Sequence, residues 1–349
     1  MNGKFWNGKK VLVTGHNGFK GCWITKYLDM AGGIVCGISL PAEKESVFSE
    51  IEFSNRFINY EGDITDYCFI KKVFDDFKPE IVIHLAAQAI VKNAMENPQN
   101  TFNTNVMGIV NVMECVRNTS TVKTVLAVTS DKVYENKEQN KYFDESDRIF
   151  GYEPYSASKA CQEIAVAAYR ETYLKDRKIG VATARAANTF GGGDNHFDRL
   201  LPYLIRCAYK GEDMILRNPD AIRPWQYILD LVRGYLLLAQ RLYEDYRKYS
   251  SGYNFGPDKD ELYTVGEIAK LIGKVSDTAE KTTFKEANVL MINAEKSLRE
   301  LDWKPIYTVP EGIETTCEMY NSYFHGISYN VLIENEIMAY EKNLEVRND

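Results

Sequence analysis

The sequence predicts an α/β protein in which a doubly wound parallel sheet is joined to a smaller mixed α/β C-terminal lobe. Short apolar runs alternate with segments of helical period over the first half of the chain, and glycine or polar residues follow the runs directly. Strands that alternate with helices in this way form parallel sheets covered on both faces. Ligands of such sheets bind at the carboxyl ends of the strands, where the chemically distinctive residues of this chain fall.

Six strands are expected in the main sheet. The first two span 10–14 and 34–39, and a short third strand precedes Gly62. The fourth begins at residue 81 and runs into the small-residue turn HLAAQ, the fifth spans 125–129, and the sixth ends at 183–185. Each run is short, rich in β-branched residues and bounded by turn residues, as buried strands are.

Composition excludes several classes of function. The chain has 349 residues, of which 45% are hydrophobic and 26% charged, as in ordinary globular proteins. A net charge of −7 without a basic run argues against nucleic-acid binding. No apolar stretch approaches the ~20 residues of a membrane span, and the N-terminus lacks the apolar core of a signal peptide. Seven cysteines without metal-ligand spacing predict no metal site, no disulfide framework and a cytoplasmic location.

A glycine-rich turn follows the first strand. Gly15, Gly18 and Gly21 have the spacing GxxGxxG, one residue wider in the first gap than the dinucleotide-binding fingerprint GxGxxG. Glycines at these points let the backbone turn tightly, approach a pyrophosphate and pack the next helix on the strand. The helix expected from about 22 to 31 would aim its N-terminal amides at that anion. This arrangement predicts a Rossmann-type dinucleotide site.

The second strand leaves the choice between NAD and NADP open. An acidic residue near its end usually holds the ribose hydroxyls of NAD. Ser39 stands there instead, with Glu43 and Glu45 a little beyond. Asp63, after the third strand, would either accept the adenine amine or cap the next helix.

The fourth strand ends in small residues. Ala86 and Ala87 would let a cofactor lie close to the backbone. His84 is expected to be a packed strand residue and no ligand, because no second histidine or cysteine accompanies it.

The stretch from 125 to 159 carries the reacting groups. Its strand ends in Thr-Ser-Asp-Lys at 129–132, which presents hydroxyl, carboxyl and amine groups together. Tyr155 and Lys159 lie four residues apart in a segment of helical composition and therefore share a helix face. A nearby ammonium lowers the pKa of a phenol, so this tyrosine would accept a proton from an alcohol near neutral pH. Such pairs are common on helices, so the weight of this one depends on the rest of the chain.

The second half of the chain is less regular. Helices are expected to begin at 198–202 and to span 226–242, and the segments 254–256 and 264–268 open a final lobe. The last ~20 residues are expected to form a loosely held tail.

Three arginines lie in the first part of this half. Arg199, Arg217 and Arg223 either face solvent or converge on a diphosphate, which guanidinium groups bind well.

The joint pattern resembles the extended short-chain dehydrogenase/reductase superfamily over nearly the whole chain. Within it, the chain is most similar to the CDP-glucose 4,6-dehydratases. The motifs that carry the resemblance are FWNGKKVLVTGHNGFKGCW, HLAAQ, TNVMG, TSDKVYEN, PYSASK, GGGDNHFDRLLP and RNPDAIRPWQYIL. The first, fourth and last are distinctive of that subfamily.

The resemblance implies an NAD-dependent lyase that converts a nucleotide sugar to its 4-keto-6-deoxy product. Tyr155, supported by Lys159, would deprotonate the hydroxyl at carbon 4 while NAD takes the hydride. The ketone would acidify carbon 5, water would leave from carbon 6, and the hydride would return to carbon 6. Ser130 matches the hydroxyl that polarises the oxygen on carbon 4, and Asp131 matches the acid that protonates the departing hydroxyl.

Lys132 stands where the related dTDP-glucose dehydratases have a glutamate that serves as the base at carbon 5. Lysine at this position is shared with the CDP-glucose subfamily. It would take the carbon 5 proton or position the group that does, provided that burial or nearby cations lower its pKa. The alternative is a structural partner of Asp131 or Glu135.

The resemblance also implies the binding residues. The expected cofactor contacts are Gly15, His16, Gly18, Phe19, Gly21, Asp63, Ile64, Leu85, Ala86, Ala87, Gln88, Tyr155 and Lys159. The expected substrate contacts are Gln88, Asn188, Arg199, Arg217 and Arg223.

Domain organisation follows from these assignments. Residues 1–187, with a return segment at about 225–256, are predicted to form the NAD-binding domain. Residues 188–224 and 257–349 are predicted to form the lobe that binds the nucleotide sugar. By resemblance, the helices at about 98–117 and 155–174 would pair in a homodimer or a dimer of dimers.

Some residues depart from the subfamily pattern. The usual GGGDWA reads GGGDNH here, and the segments after HLAAQ and after Arg185 also differ. These positions border the nucleotide and sugar pockets, so a GDP-linked or heptose substrate stays open. A 4-epimerase or reductase is a further alternative, although neither needs an acid at carbon 6. A non-catalytic NAD-binding protein is the last alternative. Deoxysugars of surface polysaccharides are the expected destination of the product.

Overall fold

The computed structural model describes residues 3–43, 46–138, 140–196, 199–279 and 287–348. The chain forms two compact units. Unit 1 comprises Met1–Glu135, Glu145–Ala186 and Val232–Asn254. Unit 2 comprises the segments Asn136–Asp144, Ala187–Leu231 and Phe255–Asp349. The assignment of these regions to cofactor and substrate binding stays a prediction.

The strands are listed here in chain order: β1 Lys10–Thr14, β2 Ile34–Ser39, β3 Ile58–Glu61, β4 Ile81–His84, β5 Thr124–Val128, β6 Tyr142–Phe143, β7 Gly180–Ala186, β8 Asn188–Phe190, β9 Met214–Leu216, β10 Ile222–Arg223, β11 Trp225–Tyr227, β12 Gly252–Phe255, β13 Tyr263–Thr264, β14 Val275–Ala279 and β15 Met291–Ile292.

The α-helices follow in the same order: α1 Gly3–Trp6, α2 Phe19–Met30, α3 Val47–Glu50, α4 Tyr67–Phe77, α5 Val91–Glu96, α6 Pro98–Phe102, α7 Gly108–Asn118, α8 Pro154–Tyr169, α9 Leu200–Lys210, α10 Ile228–Glu244, α11 Tyr246–Tyr249, α12 Val265–Ile272, α13 Glu295–Leu301, α14 Val309–Phe324 and α15 Tyr329–Asn348. Single π-helical turns at Asn103–Met107 and Arg170–Leu174 extend α6 and α8.

Unit 1 is built on a seven-stranded sheet of order β12-β7-β5-β4-β1-β2-β3. The pairs from β3 through β7 are parallel. This sheet confirms the predicted α/β class. Six of its strands match those predicted from the sequence. The seventh, β12, lies within the predicted return segment at about 225–256, although 254–256 was also expected to open the final lobe. Its short, turn-flanked sequence carries no sign of which sheet it joins, because pairing depends on β7.

The sheet buries both of its faces. Val11, Leu12 and Val13 of β1 are fully buried, as are Val82 of β4 and Val125 of β5. Such continuous apolar strands are typical of parallel sheets with helices on both sides. The carboxyl ends of β1, β4 and β5 therefore carry the first polar groups at one edge of the sheet.

The C-terminal segment is a helix, and the predicted loose tail is wrong. In α15, buried apolar side chains recur at helical spacing, including Ile333 and Ile337. Tyr340 donates a hydrogen bond of 2.7 Å to the buried carboxylate of Asp230. Glu336 accepts another from Tyr227 at 2.7 Å. These long-range contacts hold the helix, and proximity to a chain end does not reveal them.

Several element bounds differ from the expectation. The second helix begins at Phe19 because Gly18 adopts the extended backbone of an N-cap. The segment expected as one helix from 226 to 242 begins with strand β11, in which Gln226 pairs with Thr189. The helix expected at 198–202 starts at Leu200, while residue 198 lies outside the described residues. Among the described helices, none combines the length and apolar character that a bilayer span needs.

Candidate active site

The glycine turn packs directly on the end of β4. Gly15 has a φ of +74°, which disfavours any side chain, and a Cβ there would lie 2.7 Å from the amide nitrogen of Ala86. The backbone amide of Leu85 donates to the carbonyl of Thr14, the residue before Gly15, at 3.0 Å. The first glycine thus brings the predicted cofactor residues of β1 and β4 together.

The other two glycines have different surroundings. A Cβ on Gly21 would lie 2.0 Å from the carbonyl oxygen of Gly15, so this glycine lets α2 press against the turn. A Cβ on Gly18 would meet no atom closer than 3.5 Å. Gly18 is the N-cap of α2 and offers no side chain to the first-turn amides. The packing of the protein itself requires Gly21, whereas Gly18 leaves an open approach to a helix N-terminus that suits an anion.

The end of β2 is bonded to the glycine turn. The Ser39 hydroxyl lies 2.9 Å from Nδ1 of His16, and the side-chain amide of Asn17 donates to the carbonyl of Leu40 at 2.7 Å. His16 is buried, and burial lowers the pKa of its imidazole. Its ring fills the space above Gly37, where a Cβ would lie 2.4 Å from the ring. Phe19, the first residue of α2, is half-buried. Glu45, one of the two acidic residues noted after β2, lies outside the described residues.

Asp63 does not cap the next helix. The cap of α4 is Asp66, whose carboxylate accepts from the amide of Phe69 at 3.1 Å. Asp63 is exposed and its carboxylate accepts from the amide of Thr65 at 2.8 Å. Ile64 between them is buried. The capping alternative for Asp63 is therefore wrong, and adenine recognition by Asp63 stays a prediction.

His84 is buried at the end of β4. Its Nδ1 lies 2.8 Å from the hydroxyl of Thr14, and its Nε2 has no hydrogen-bond partner among the described residues. Burial, together with the positive charge of Lys159, lowers the pKa of His84 to about 3. The imidazole is therefore neutral near neutral pH.

A side chain of the TNVMG motif, to which the sequence analysis gave no role, holds the turn after β4. Asn105 is fully buried, and its amide oxygen accepts from the backbone amide of Gln88 at 2.8 Å. Its amide nitrogen donates to the carbonyl of Gln88 and to the hydroxyl of Ser158, at 3.1 and 2.8 Å. Asn105 lies in a π-helical turn, a feature that frequently marks functional sites. Ala87, the residue before Gln88, is half-buried.

Ser130 and Asp131 follow β5 directly. Ser130 caps a short 3₁₀ turn at Asp131–Val133, with its hydroxyl accepting from the amide of Lys132 at 3.2 Å. The same hydroxyl donates to the Asp131 carboxylate at 3.0 Å. Both side chains are buried, whereas Lys132 is half-buried. The turn therefore holds the predicted hydroxyl and carboxyl groups in one rigid unit.

Tyr155 lies in the first turn of α8. The carboxylate of Glu153 caps this helix by accepting from the amides of Tyr155 and Ser156 at 2.6 and 2.7 Å. Pro154 occupies the first helical position, which its ring favours. These local signals start the helix so that Tyr155 and Lys159 share one face, as the sequence predicts.

Lys159 is buried beneath this site. Its ammonium donates to the carbonyl of Val128 at 3.1 Å and to the amide oxygen of Gln162 at 2.9 Å. Burial, with a smaller effect from Lys20, lowers the pKa of Lys159 to about 7. The negative charge of Glu163 acts in the opposite direction.

Tyr235 of α10 is a further residue that the sequence did not single out. It is fully buried. Burial raises its pKa well above the usual value, and the charges of Tyr155 and Asp131 raise it further. An isolated tyrosine in an apolar helix gave no sequence signal of this electrostatic interaction.

A buried ion pair supports the carboxyl end of β5. Arg185 of β7 donates twice to Glu163 of α8, at 3.0 Å for each bond, and both side chains are 5% exposed. The hydroxyls of Thr129 and Thr183 donate to the same carboxylate at 2.5 and 2.7 Å. Arg185 also donates to the hydroxyl of Tyr134 at 2.8 Å. A charged residue in an otherwise apolar strand was the available sequence signal for this network.

The predicted substrate residues beyond residue 187 belong to unit 2. Asn188 is half-buried in β8, and its backbone amide donates to the carbonyl of Pro224 at 2.8 Å. Arg199 forms an ion pair of 2.9 Å with Asp194. Arg217 is exposed, whereas Arg223 is buried and donates to the carbonyls of Ile222 and Asn288. Their role in holding a diphosphate stays a prediction.

The family model described as GDP-mannose 4,6 dehydratase matches residues 12–316. The chain belongs to this family. Family membership confirms the predicted resemblance to the extended short-chain dehydrogenases/reductases.

Among characterised relatives, the CDP-glucose 4,6-dehydratase of Salmonella typhimurium is 36% identical over 348 residues, which covers 96% of this chain and 97% of the relative. The dTDP-glucose 4,6-dehydratase of the same species is 27% identical and covers 89% of this chain and 92% of its own.

Solved structures share the fold. The dTDP-glucose 4,6-dehydratase of Bacillus anthracis in complex with NAD has a TM-score of 0.78 at 23% identity, covering 90% of this chain and 97% of its own. The UDP-glucose 4-epimerase of Thermotoga maritima with UDP-glucose has a TM-score of 0.77 at 20% identity, covering 90% and 99%. This likeness confirms the Rossmann-type fold.

The glycine turn fits a dinucleotide. The positive φ of Gly15, the open approach at Gly18 and the uncapped amides at the start of α2 together form a cradle for an anion. Gly15, Gly18 and the first turn of α2 would hold the pyrophosphate of NAD.

Substitutions at two glycines separate packing from cofactor binding. Gly21→Ala should lower the free energy of unfolding by about 1–3 kcal/mol or more, because its methyl overlaps the Gly15 carbonyl. Gly18→Ala should change that free energy by less than about 0.5 kcal/mol. It should nevertheless weaken NAD binding by roughly tenfold, about 1.4 kcal/mol. Urea titrations and calorimetric NAD titrations measure the two effects. Unchanged NAD affinity in Gly18→Ala would contradict the cradle.

The buried ion pair is predicted to matter for stability. Glu163→Gln leaves the buried guanidinium of Arg185 without its anion and should cost about 3–5 kcal/mol. Glu171→Gln is the matched control, since Glu171 is exposed and pairs with Arg170 and Lys175; it should cost less than about 1 kcal/mol. Denaturant unfolding of both variants tests this. Equal losses in the free energy of unfolding would show that the buried ion pair stabilises the protein no more than the exposed one does.

Proposed function

We propose that this chain is an NAD-dependent nucleotide-sugar 4,6-dehydratase, a hydro-lyase, and that its substrate is CDP-glucose. The substrate is supported by the relative that is 36% identical over 96% of the chain, a CDP-glucose 4,6-dehydratase. The reaction is supported by the arrangement of acidic and basic groups in unit 1.

The observation that carries the reaction is an acid close to the base. The 3₁₀ turn that carries Asp131 contacts helix α8, which carries Tyr155 in its first turn. Oxidation and epimerisation at carbon 4 need a base for the hydroxyl proton, whereas loss of water also needs an acid at carbon 6. A carboxyl group near the tyrosine therefore favours dehydration over epimerisation.

Each side chain has one task in this scheme. The phenolate of Tyr155 takes the proton from the hydroxyl at carbon 4, and the charge of Lys159 stabilises that phenolate. Ser130 donates a hydrogen bond to the oxygen on carbon 4. Asp131 gives a proton to the hydroxyl that leaves carbon 6. When bound, NAD would accept the hydride from carbon 4 and supply it to carbon 6.

Lys132 is proposed as the base at carbon 5, or as the group that positions that base. It follows Asp131 in the 3₁₀ turn and is half-buried, so its ammonium is not held in the core as Lys159 is. A role as structural partner of Asp131 or Glu135 is the alternative.

Mass spectrometry of reactions with NAD tests the function. The chain is incubated separately with CDP-, dTDP-, GDP- and UDP-glucose. A product one water lighter from CDP-glucose alone is expected, and Asp131→Asn should abolish it. Water loss from another nucleotide sugar would keep the reaction and correct the substrate. A product of unchanged mass but altered configuration would identify an epimerase, and no product from any sugar would contradict the proposal.

The same reactions in deuterium oxide test Lys132. The wild-type product should carry deuterium at carbon 5, because that carbon is reprotonated from solvent. Lys132→Ala should lose this incorporation together with product. Retained deuterium at carbon 5 in the variant would exclude the role of Lys132.

We also propose that the chain forms a homodimer through α6, α7 and α8 with the π-turns between and after them. These helices expose large apolar side chains: Phe102 is 36%, Met107 47% and Ile164 62% accessible. Such a patch is unusual on a monomer. A second copy of the same face would cover it with matching apolar groups.

Light scattering tests the dimer. Ile164→Glu places a charge in the proposed interface and should convert the dimer to a monomer. Met338→Glu, at a 55% exposed position of α15, is the control and should leave the mass unchanged. A wild-type monomer, or a dimer that survives Ile164→Glu, would refute this interface.

The proposed compartment is the cytoplasm. All seven cysteines lie in the described part of the chain, and each is a free thiol. Free thiols are typical of a reducing compartment.

A further inference from the structure

Gln162 holds the lysine on which the proposed mechanism depends. It lies three residues after Lys159 on α8, so the two side chains share a helix face. Its amide oxygen accepts from the Lys159 ammonium at 2.9 Å, and the carbonyl of Val128 accepts from the same ammonium at 3.1 Å. These two acceptors restrict where the ammonium can lie.

The surroundings of Gln162 are not those of an amide that serves packing. The residue is fully buried, and its amide nitrogen has no hydrogen-bond partner among the described residues. A buried, unsatisfied amide nitrogen costs about 1–3 kcal/mol, and an apolar side chain of similar volume would avoid that cost. The hydrogen bond that the amide oxygen accepts from Lys159 is the interaction that an apolar side chain could not provide.

The acceptor is also neutral, although a carboxylate is available next to it. Glu163, the following residue, directs its carboxylate to Arg185, Thr129 and Thr183. Lys159 is thus held by two uncharged oxygens. A neutral acceptor fixes the ammonium without cancelling its charge, so that the charge still acts on Tyr155.

We propose that Gln162 is a positioning residue for Lys159: its amide oxygen fixes the buried ammonium as a neutral acceptor and so preserves the charge that stabilises the Tyr155 phenolate. This inference rests on the proposed function, because it assigns Lys159 the supporting role in that reaction. Gln162 touches neither substrate nor reacting atoms in this scheme and acts through the lysine.

Charged and titratable groups around the lysine come from several elements. Lys20 of α2 and His84 of β4 interact electrostatically with Lys159, and Glu163 does so from its own helix. Burial and Lys20 lower the pKa of Lys159, while Glu163 raises it.

Tyr155, the group that the lysine serves, has its own neighbours. Tyr155 lies one turn before Lys159 on α8. Tyr235 of α10 interacts electrostatically with Tyr155 and with Asp131. None of these groups is altered by a substitution at position 162.

The sign of the pH effect follows from these contacts. The ammonium is present below the pKa of Lys159, about 7, and is lost as the pH rises through that value. The phenolate then loses its support, so the rate should fall on the alkaline side. A carboxylate at position 162 favours the charged lysine and moves this fall to higher pH. An apolar side chain there moves it to lower pH.

The experiment compares pH profiles of kcat/KM at saturating NAD for the wild type, Gln162→Glu and Gln162→Met. We expect the alkaline limb to move up by about one pH unit or more in Gln162→Glu and down by about half a unit or more in Gln162→Met. Gln240→Met is the matched control, because buried Gln240 donates to Glu244 on α10; its limb should not move. Shifts in the same direction, or no shift, would overturn the proposal.

A second readout does not depend on turnover. Titration of lysine labelled with ¹³C at the ε-carbon, with the Lys159 signal assigned by Lys159→Arg, follows the ammonium directly by NMR. Its midpoint should rise in Gln162→Glu and fall in Gln162→Met even if no tested sugar is a substrate. Equal midpoints would overturn the role of Gln162 and leave the proposed function standing. If Gln162→Glu does not fold, the downward shift in Gln162→Met decides.

Discussion

The buried ion pair between Glu163 and Arg185 is the interaction on which the arrangement of the candidate site in unit 1 depends. It joins helix α8 to strand β7, and the hydroxyl of Thr129 connects it to the end of β5. Ser130 and Asp131 are the next residues along the chain, so their direction follows from how β5 ends. Because two buried charges are tolerated only when each is fully bonded, this network permits one arrangement of strand and helix. A loose β5 end would shift Ser130 and Asp131 relative to helix α8, which carries Tyr155.

Close backbone packing imposes a second constraint at the neighbouring strands. The turn after β1 presses on the residues after β4 at Gly15 and on its own helix at Gly21. Neither position has room for a methyl group, so the shape of the cradle is determined by contacts of the protein with itself. Gly18 is different, because the protein leaves its surroundings open. Two glycines of this motif thus serve internal packing, and the third is the one at which a ligand is predicted to approach.

The electrostatics of the site depend on how little water reaches it. Lys159 is almost completely buried, and this burial lowers the pKa of its ammonium, which donates to two neutral oxygens. His84 on the neighbouring strand stays neutral for the same reason, so it adds no competing charge. Burying the ammonium of Lys159 costs free energy of desolvation, and its two hydrogen bonds offset part of that cost. In the proposed mechanism its charge acts on Tyr155 with less screening than it would have in water.

The sequence by itself determined the features that arise within a few residues: the strand-turn-helix around Gly15, the common face of Tyr155 and Lys159, and the cluster of polar groups after β5. Their hydrophobic periods and turn residues lie within a few residues of one another, so the sequence predicts them without knowledge of the tertiary contacts. Only the tertiary structure decided that Gln162 holds the lysine, that Glu163 pairs with a distant arginine, that β12 completes the sheet and that the C-terminal segment is a packed helix. These features depend on contacts between buried groups that are far apart in the sequence. Local hydrophobic periodicity does not predict such long-range contacts.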